Sequence, residues 1–201
     1  MYTRIISTHY QPGKMDEALQ VYRESILPAL KQQPGFNGVI ALMSHPTDAA
    51  PSITLWETEA DLQTGATSGH LQDQLAKVAP YLASAPAVET FEAGIWEVMP
   101  GTAAQYARVI TFQLQHAAID AFVQAARTRV LPEGKQQPGV SGVIVLTNAA
   151  LNRALPVTLW ERQADLEASE ASGILQRQMD KGVQYFAAHP TYAIYEVGAQ
   201  A

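Results

Sequence analysis

The sequence predicts an α+β fold, in which two ferredoxin-like β-α-β-β-α-β repeats form an intramolecular, pseudo-dimeric α/β barrel. The first observation is a duplication, because residues 26–40 return as residues 130–144 with 10 of 15 residues identical. When residues 1–97 are set over residues 105–201 without a gap, about 37 pairs are identical, and a period of this length is that of a domain rather than of a short solenoid repeat. The second observation is the order of strand and helix patterns, which is the same in each half.

The first repeat opens with a strand and a helix. Residues 4–10 are rich in β-branched and aromatic side chains and stop at the turn-forming residues 11–13, which predicts strand one. Apolar residues then recur every three or four positions from Met15 to Leu30, which predicts an amphipathic helix. We expect this helix to end at Pro34-Gly35 and to be kinked or broken in its last turn by Pro28.

A hairpin, a second helix and a last strand complete the repeat. Residues 36–43 and 52–57 predict strands two and three, with a turn-rich loop between them. A second apolar stripe predicts the second helix, which Ala85-Pro86 should end, and the alternating residues 88–92 predict strand four. The stripe of the second helix consists of Leu71, Leu75, Val78 and Leu82.

The expected domain division follows the duplication. Residues 1–99 form repeat 1, residues 100–104 a short linker and residues 105–201 repeat 2. A β-α-β-β-α-β order places both helices on one face of a sheet, so the other face needs a partner, which the second repeat supplies. A further homodimer of whole chains is left open.

Composition limits the classes of function. A net charge of −6 with only 13 Lys and Arg residues gives no basic surface for a phosphate backbone, so we expect no nucleic-acid partner. No apolar run approaches membrane length and no signal peptide is recognisable, which predicts a cytoplasmic protein without a membrane partner. The absence of cysteine excludes disulfides, thiolate metal sites and cysteine nucleophiles.

Two motifs resemble the antibiotic biosynthesis monooxygenase family. Pro-Gly closes the first helix before strand two in both repeats, at Pro34-Gly35 and Pro138-Gly139. A Trp closes strand three before an acidic helix start, as Trp-Glu-Thr-Glu-Ala-Asp-Leu at residues 56–62 and Trp-Glu-Arg-Gln-Ala-Asp-Leu at residues 160–166. The resemblance covers both halves and implies small ferredoxin-like domains that pair as α/β barrels.

The chain also departs from that family. Where many members carry a Glu two residues before the Trp, this chain has Thr54 and Thr158, and where they carry a His three residues after the Leu, it has Gly65 and Ser169. The next family histidine is kept only in repeat 1, as His70, and its counterpart is Ile174.

The resemblance implies a cofactor-independent monooxygenase that acts on a small phenolic or quinol-type aromatic ligand, that is, an oxidoreductase. Such substrates pass an electron to dioxygen once deprotonated, so the protein needs a base, a dry pocket and a partner for the oxyanion. Haem degradation is disfavoured because the family's haem-degrading branch uses an Asn on strand one and a Trp on the second helix. No asparagine of this chain lies on a predicted first strand; they are Asn37, Asn148 and Asn152.

Arginine and tryptophan recur at equivalent positions of the two repeats. Arg4 and Arg108 could hold a phenolate or carboxylate, or each could be an edge arginine paired with an acid. The strand-three tryptophans share a face with Thr54 and Thr158 because alternate residues of a strand point the same way. Their indoles could form the floor of an aromatic pocket or simply pack in the core; these residues are Trp56 and Trp160.

His70 is the candidate base, with Gln74 and Tyr81 near it on the second helix. Its apolar counterpart Ile174 suggests a partly buried site, whereas the alternative is a boundary histidine with a structural hydrogen bond. No histidine recurs at the equivalent position of the other repeat, so a histidine-dependent reaction predicts one active site per chain.

The predicted site therefore consists of catalytic and substrate-binding groups, with no metal ligand and no cofactor. The catalytic candidates are His70, Arg4 and Trp56, and the substrate-binding candidates are Thr54, Tyr81, Trp160 and Arg108. No nucleotide-binding or metal-binding motif is present. The alternative function is a non-catalytic small-molecule-binding or stress-related protein on the same scaffold, which the loss of the family's histidines favours.

Overall fold

The computed structural model describes all 201 residues, Met1–Ala201. The two repeats run through the same elements in the same order. Those of the first are β1 (Tyr2–His9), α1 (Met15–Val21), α2 (Leu27–Lys31), β2 (Phe36–Met43), β3 (Ala49–Trp56), α3 (Glu59–Thr67), α4 (His70–Val78) and β4 (Ala87–Val98). Those of the second are β5 (Tyr106–Gln113), α5 (Ile119–Ala125), α6 (Leu131–Lys135), β6 (Val140–Asn148), β7 (Arg153–Trp160), α7 (Gln163–Ala171), α8 (Ile174–Gly182) and β8 (Thr191–Gln200).

The strands form one closed, antiparallel barrel, which confirms the predicted fold class. Their hydrogen-bonded order is β1-β3-β2-β8-β5-β7-β6-β4. Within each repeat the first strand pairs along its length with the third, as in the register from Tyr2 opposite Trp56 to His9 opposite Ala49. This pairing places the two motif tryptophans opposite the beginning of the first strand, since Tyr106 likewise lies opposite Trp160.

The contacts divide the chain into two compact units that exchange strand ends. Unit 1 comprises Met1–Phe91 together with Val197–Ala201, and unit 2 comprises Glu92–Glu196. The end of β4 belongs to unit 2, where Glu92 to Val98 pair with β6. The end of β8 belongs to unit 1, where Ala201 exchanges two backbone hydrogen bonds with Val39 at 2.8 and 3.0 Å. The division predicted at residues 100–104 describes the duplicated sequence and stays a prediction.

The first helix is neither broken nor simply kinked at its proline, contrary to expectation. Between α1 and α2 the helix widens into a π-turn, Tyr22–Ile26, and the N–H of Leu27 donates to the carbonyl of Tyr22, five residues back. Pro28 follows at the start of α2. Proline has no N–H to donate and its ring crowds the carbonyl four residues before it, so a wider turn absorbs the conflict. The second repeat has the same π-turn, Ala126–Val130.

The second predicted helix is two helices. Gly69, with a φ of 85°, separates α3 from α4, and Gly173 does the same between α7 and α8 with a φ of 70°. Leu82 is wrong as a helical residue, because α4 ends at Val78 and Leu82 forms an isolated β-bridge with Tyr10. Its apolar side chain packs in a core although it lies outside the helix.

The two recognised motifs touch each other in each unit. Gly35 has a φ of 68°, and its carbonyl accepts a hydrogen bond from the N–H of Glu57 at 2.8 Å. A Cβ at Gly35 would overlap the carboxylate of Asp61 at the start of α3. The same overlap would arise between Gly139 and Asp165. Only glycine combines this backbone conformation with so close an approach, which explains why Pro-Gly and Trp-Glu-x-x-Ala-Asp-Leu occur together.

Each unit has its own apolar core. The unit 2 core contains stacked phenylalanines, with the rings of Phe112 and Phe186 4.6 Å apart, and the unit 1 core surrounds Met15, Ala18 and Ile26. None of the helices has the length and apolar character needed to cross a membrane.

Candidate functional site

Each unit contains a cavity of about 90 Å³ between its strands and its helices. Cavity 1, in unit 1, has Arg4, Thr54, Trp56 and His70 on its wall, so four predicted site residues come together. The fifth predicted residue of this unit, Tyr81, packs in the unit 1 core and does not line cavity 1. Cavity 2, in unit 2, has Arg108 on its wall.

Arg4 is buried without an acidic partner. Its side chain is 4% exposed, and one guanidinium nitrogen, Nη2, donates to the carbonyl of Leu62 on α3. Its Cζ lies 5.4 Å from the ring centre of Trp56, in a cation–π arrangement. Burial lowers the pKa of the Arg4 guanidinium, and no carboxylate opposes this effect. The alternative of an edge arginine paired with an acid is therefore wrong for Arg4.

Two hydrogen bonds link Trp56 and Thr54 of β3 to the backbone of Arg4 on β1. The indole N–H of Trp56 donates to Oγ1 of Thr54 at 3.0 Å, and Thr54 Oγ1 donates to the backbone carbonyl of Arg4 at 3.3 Å. A Cβ at Gly65 would lie 3.3 Å from the indole and 3.8 Å from Nη1 of Arg4. The position where the family carries a histidine thus faces the guanidinium and the indole. Because Trp56 is 1% exposed and also lines the cavity, it is both core and pocket wall.

His70 lies at the first position of α4, directly after Gly69. It lines cavity 1 together with Gln74, one helical turn further on. The residue as a whole is exposed, so the expectation of a partly buried histidine is wrong. The side chain therefore lies where cavity 1 meets the surface.

Cavity 1 is also lined by two phenolic side chains, Tyr10 and Tyr22, which were not among the predicted site residues. The hydroxyl of Tyr22, in the π-turn, is 2.8 Å from Oγ of Ser52 on β3. Burial raises the pKa of Tyr22 to about 12, against the hydrogen bond with Ser52 and with a smaller contribution from Tyr10. Burial also raises the pKa of Tyr10. The sequence signal that could have found these residues is the contrast between repeats, because repeat 2 has Leu114, Ala126 and Pro156 at the three positions.

Arg108 occupies the equivalent place in unit 2 with different neighbours. It is 3% exposed, its Nη2 donates to Oγ of Ser169 at 3.2 Å, and Ser169 donates to Oε1 of Gln137 at 2.7 Å. The Nε and Nη1 atoms of Arg108 are buried and have no hydrogen-bond partner. Burial lowers the pKa of Arg108, and the nearby Glu170 partly offsets that shift.

Trp160 repeats the packing of Trp56 but not its place on a cavity. Its ring centre lies 5.4 Å from Cζ of Arg108, and its indole N–H donates to Thr158 at 3.2 Å. It is fully buried and does not line cavity 2, whereas Thr158 and Ile174 do. Sequence reasoning missed Ser169 and Gln137 as functional groups. The shared Gln-Gln-Pro-Gly at residues 32–35 and 136–139 was a signal for Gln137, because a polar pair recurs there beside the glycine turn.

No group of three or more histidine, aspartate or glutamate side chains with the geometry of a metal site occurs in the chain. The arrangement offers a guanidinium for an anion, aromatic and aliphatic walls for a ring, and in unit 1 a histidine at the mouth. These are groups for binding an aromatic anion and moving its proton.

The sequence matches no protein-family model, and no curated protein matches it significantly. Solved structures do match its fold. A candidate monooxygenase from Fusobacterium nucleatum subsp. nucleatum covers 99% of this chain and 93% of its own, with a TM-score of 0.78 at 9% identity. An anthrone oxidase-like protein covers 100% of this chain and 92% of its own, with a TM-score of 0.69 at 14% identity.

A ferredoxin-fold protein from Listeria monocytogenes related to antibiotic biosynthesis monooxygenases covers 98% of this chain and 94% of its own, with a TM-score of 0.56 at 13% identity. At such identities the likeness establishes architecture and not chemistry. The chain therefore has the ferredoxin-like barrel fold of proteins related to the antibiotic biosynthesis monooxygenases.

Proposed function

We propose that unit 1 is a monooxygenase that oxidises a small phenol or quinol with dioxygen and without a cofactor. The observation that carries the proposal is the buried Arg4, which lines cavity 1 and has no carboxylate partner. The names of the structural neighbours, among them a candidate monooxygenase and an anthrone oxidase-like protein, support the same class of reaction.

The unpaired charge of Arg4 favours an anionic ligand. A buried guanidinium loses hydration and stays protonated, so an anion beside it restores favourable electrostatic energy. A phenolate oxygen suits this place because the ring can then lie against the apolar wall. Trp56, Ile26 and Leu75 contribute to that wall.

The size of cavity 1 supports a substrate with one ring. Ligand sites for drug-sized molecules measure roughly 300–1,000 Å³, whereas cavity 1 measures about 90 Å³. A single aromatic ring suits that space better than a fused three-ring system or a porphyrin. We therefore propose substituted phenols and hydroquinones as the substrate class.

The proposed reaction uses His70 as the base and Arg4 as the anion partner. His70 accepts the phenolic proton, and the guanidinium of Arg4 stabilises the phenolate. The phenolate passes an electron to dioxygen, and the resulting radicals combine at an unsubstituted ring carbon, which is para to the oxygen in a phenol and ortho to it in a hydroquinone. Loss of water from the peroxide leaves a quinone, so that a phenol and one dioxygen give one quinone and one water. One oxygen atom of dioxygen remains in the product.

A second candidate function is binding without catalysis. The observation that favours it is that both units keep a cavity with a buried arginine, whereas only cavity 1 has a histidine on its wall. Binding would then be the shared property of the scaffold, and His70 a surface residue without a role in proton transfer.

Oxygen uptake separates the two candidates. We expect the wild-type protein to consume dioxygen with monocyclic phenols or hydroquinones and to place ¹⁸O from ¹⁸O₂ in the quinone, because a monooxygenase keeps one atom. His70→Ala should lower kcat by about 100-fold, which is typical for the loss of a general base. His116→Ala is the matched control, since His116 is an exposed histidine that does not line cavity 1.

The same assay identifies the failures. Uptake that yields hydrogen peroxide without ¹⁸O in the product would show an oxidase and not a monooxygenase. Phenol binding to the wild type without any uptake would leave binding as the function. Equal rates in His70→Ala and the wild type would remove His70 from the mechanism, and Arg4→Gln with an unchanged KM would remove Arg4.

A further inference from the structure

We propose that cavity 2 is a separate binding site for a small aromatic carboxylate, of the size of benzoate, which unit 2 holds without oxidising it. This proposal does not rest on oxidation in unit 1. It rests on unpartnered donors, a missing histidine, the charges around the cavity and an aromatic wall, all of which belong to unit 2.

Two hydrogen-bond donors in unit 2 lack acceptors. Arg108 lines cavity 2 and is 3% exposed, yet its Nε and Nη1 atoms have no partner. Buried donors of a charged group are almost always satisfied, because an unpaired one loses its hydration without gaining a hydrogen bond in return. A ligand oxygen in cavity 2 would supply the missing acceptor.

Two polar side chains hold the third guanidinium nitrogen of Arg108, Nη2, in place. Nη2 of Arg108 donates a hydrogen bond to Oγ of Ser169. The Ser169 hydroxyl donates in turn to Oε1 of Gln137 at 2.7 Å. This chain fixes the direction of the Ser169 hydroxyl, so that its oxygen accepts from the arginine. Both Ser169 and Gln137 line cavity 2, and repeat 1 has Gly65 in place of the serine. The guanidinium of unit 2 is therefore positioned by a serine that unit 1 does not have, whereas the glutamine recurs there as Gln33.

Cavity 2 has no histidine base, and its one carboxylate, Glu133, is engaged by Lys181 and Gln178. Ile174 stands where unit 1 has His70, and no histidine lines cavity 2. Phenols, with a pKa of about 10, stay neutral at pH 7 without a base, whereas carboxylic acids, with a pKa of about 4, are already ionised. The anion that compensates Arg108 is therefore a carboxylate and not a phenolate.

The charges around cavity 2 also favour an anion. Arg129 and Lys181 line it in addition to Arg108, against the single carboxylate of Glu133. Lys181 and Gln178 both contact that carboxylate, at 3.2 and 3.4 Å, and hydrogen bonding with Lys181 lowers the pKa of Glu133. Two positive charges remain in excess on the wall of cavity 2, and one when Glu170, which lies near Arg108 outside that wall, is counted. Arg4 is the one permanently charged side chain that lines cavity 1.

An aromatic wall completes the site. The rings of Phe112 and Phe122 lie 5.3 Å apart, Phe112 stacks on Phe186 at 4.6 Å, and Phe122 meets Tyr185 edge-on at 6.3 Å. All four residues line cavity 2. A ligand ring gains offset-stacked or edge-to-face contacts in such a cluster. Gly134 and Gly182 leave room there, because repeat 1 has Leu30 and Val78 at these positions.

The test is a calorimetric titration of the full chain with benzoate, using benzyl alcohol as the neutral analogue. We expect one equivalent of benzoate to bind with at least tenfold higher affinity than benzyl alcohol. Arg108→Gln should weaken benzoate binding at least tenfold. Arg4→Gln, its matched control in unit 1, should leave the affinity for that one equivalent of benzoate unchanged. Gly134→Leu restores the residue of repeat 1 and should block binding without touching Arg108; a Cβ there meets only Val143, at an ordinary 3.5 Å.

Specific results would overturn the proposal. It fails if benzoate does not bind at millimolar concentration, if benzyl alcohol binds equally well, or if Arg4→Gln and not Arg108→Gln removes the binding. If Arg108→Gln loses its folded circular dichroism spectrum, the folded Gly134→Leu protein decides, and unchanged benzoate binding in that variant contradicts the assignment. Loss of oxygen uptake in unit 1 has no bearing on these outcomes.

Discussion

Arg4 and Arg108 show how one residue kept in both repeats can acquire two settings. Both are buried on the first strand of their repeat, and both lie 5.4 Å from the ring centre of a tryptophan. Arg4 donates to a backbone carbonyl of α3, whereas Arg108 donates to a serine side chain on α7. The guanidinium is a shared part of the scaffold, whereas the groups that accept its hydrogen bonds differ between the two units.

The buried phenol of Tyr22 should make the stability of the protein sensitive to high pH. Burial raises the pKa of Tyr22 from its usual value of 10 to about 12, so the folded state favours the protonated phenol. Because the folded-state pKa is the higher one, this contribution is complete below pH 10 and is lost as the pH rises through 12. We expect a loss on the order of 2 kcal/mol in the free energy of unfolding across that window.

Urea unfolding at pH 8 and pH 11, together with the tyrosinate absorbance, measures this effect. Tyr22→Phe should cost about 1 kcal/mol at pH 8, because the hydrogen bond with Ser52 is lost, and should lose less stability between the two pH values than the wild type. Tyr192→Phe is the matched control, since that ring is 50% exposed, and it should follow the wild-type curve. Parallel curves for Tyr22→Phe and the wild type would contradict the assignment.

At the level of residues, the sequence could predict some, but not all, of the side chains that line cavity 1. Strand alternation predicts that Thr54 and Trp56 share a face, and the pairing of β1 with β3 adds Arg4 to the same cavity wall. Tyr22 and Ser52 could not be placed, since their contact depends on the turn of a π-helix that the apolar spacing does not reveal.

At the level of elements, the glycine before β2 decides how the helices and strands of a repeat are joined. Gly35→Ala should destabilise unit 1 by about 3 kcal/mol or more, because it adds a steric overlap with Asp61 to the cost of a positive φ. Gly69→Ala is a matched control with a φ of 85° and no atom within 4 Å of the added Cβ. It should cost only about 1 kcal/mol.

Thermal and urea unfolding of the two variants provide the comparison. If both glycine variants lose the same stability, the approach of Asp61 to Gly35 adds nothing and the motif is explained by backbone conformation alone. Gly139→Ala should behave as Gly35→Ala does, since Asp165 occupies the equivalent place.

The helices also show where the sequence rules conflict. Pro28 predicts a kink or a break, but the π-turn before it lets the helix continue, as does the π-turn before Pro132, and one arginine in each turn gains an acceptor. Arg23 donates to the carbonyl of Gly198 at 2.8 and 2.6 Å, and Arg127 donates to that of Gly94. A tertiary hydrogen bond at each turn offsets the poorer helix geometry, and such a bond cannot be deduced from periodicity.

At the level of the whole molecule, the duplicated sequence and the compact units are not the same division. Repeat 1 as read from the sequence contains residues 92–99, yet the contacts of Glu92–Val98 lie in unit 2. Likewise, the last residues of repeat 2 lie in unit 1. Identity between the repeats shows common ancestry of the segments, whereas contacts depend on which strand each β-end pairs with. Only the strand pairing decides which segments of the chain fold together.

This exchange predicts that unit 1 depends on the far end of the chain. Deletion of residues 197–201 removes both backbone bonds between Val39 and Ala201 and the carbonyl that accepts from Arg23. It also uncovers Leu19 and Met43, which lie close around Gly198. We expect faster amide hydrogen exchange in β2 and α1, and lower oxygen uptake, because Leu19 and Met43 line cavity 1.

Arg23→Gln should reproduce part of this effect, and Arg127→Gln should instead affect unit 2. If the deletion accelerated exchange equally in both units, the end of β8 would belong to the barrel as a whole and not to unit 1.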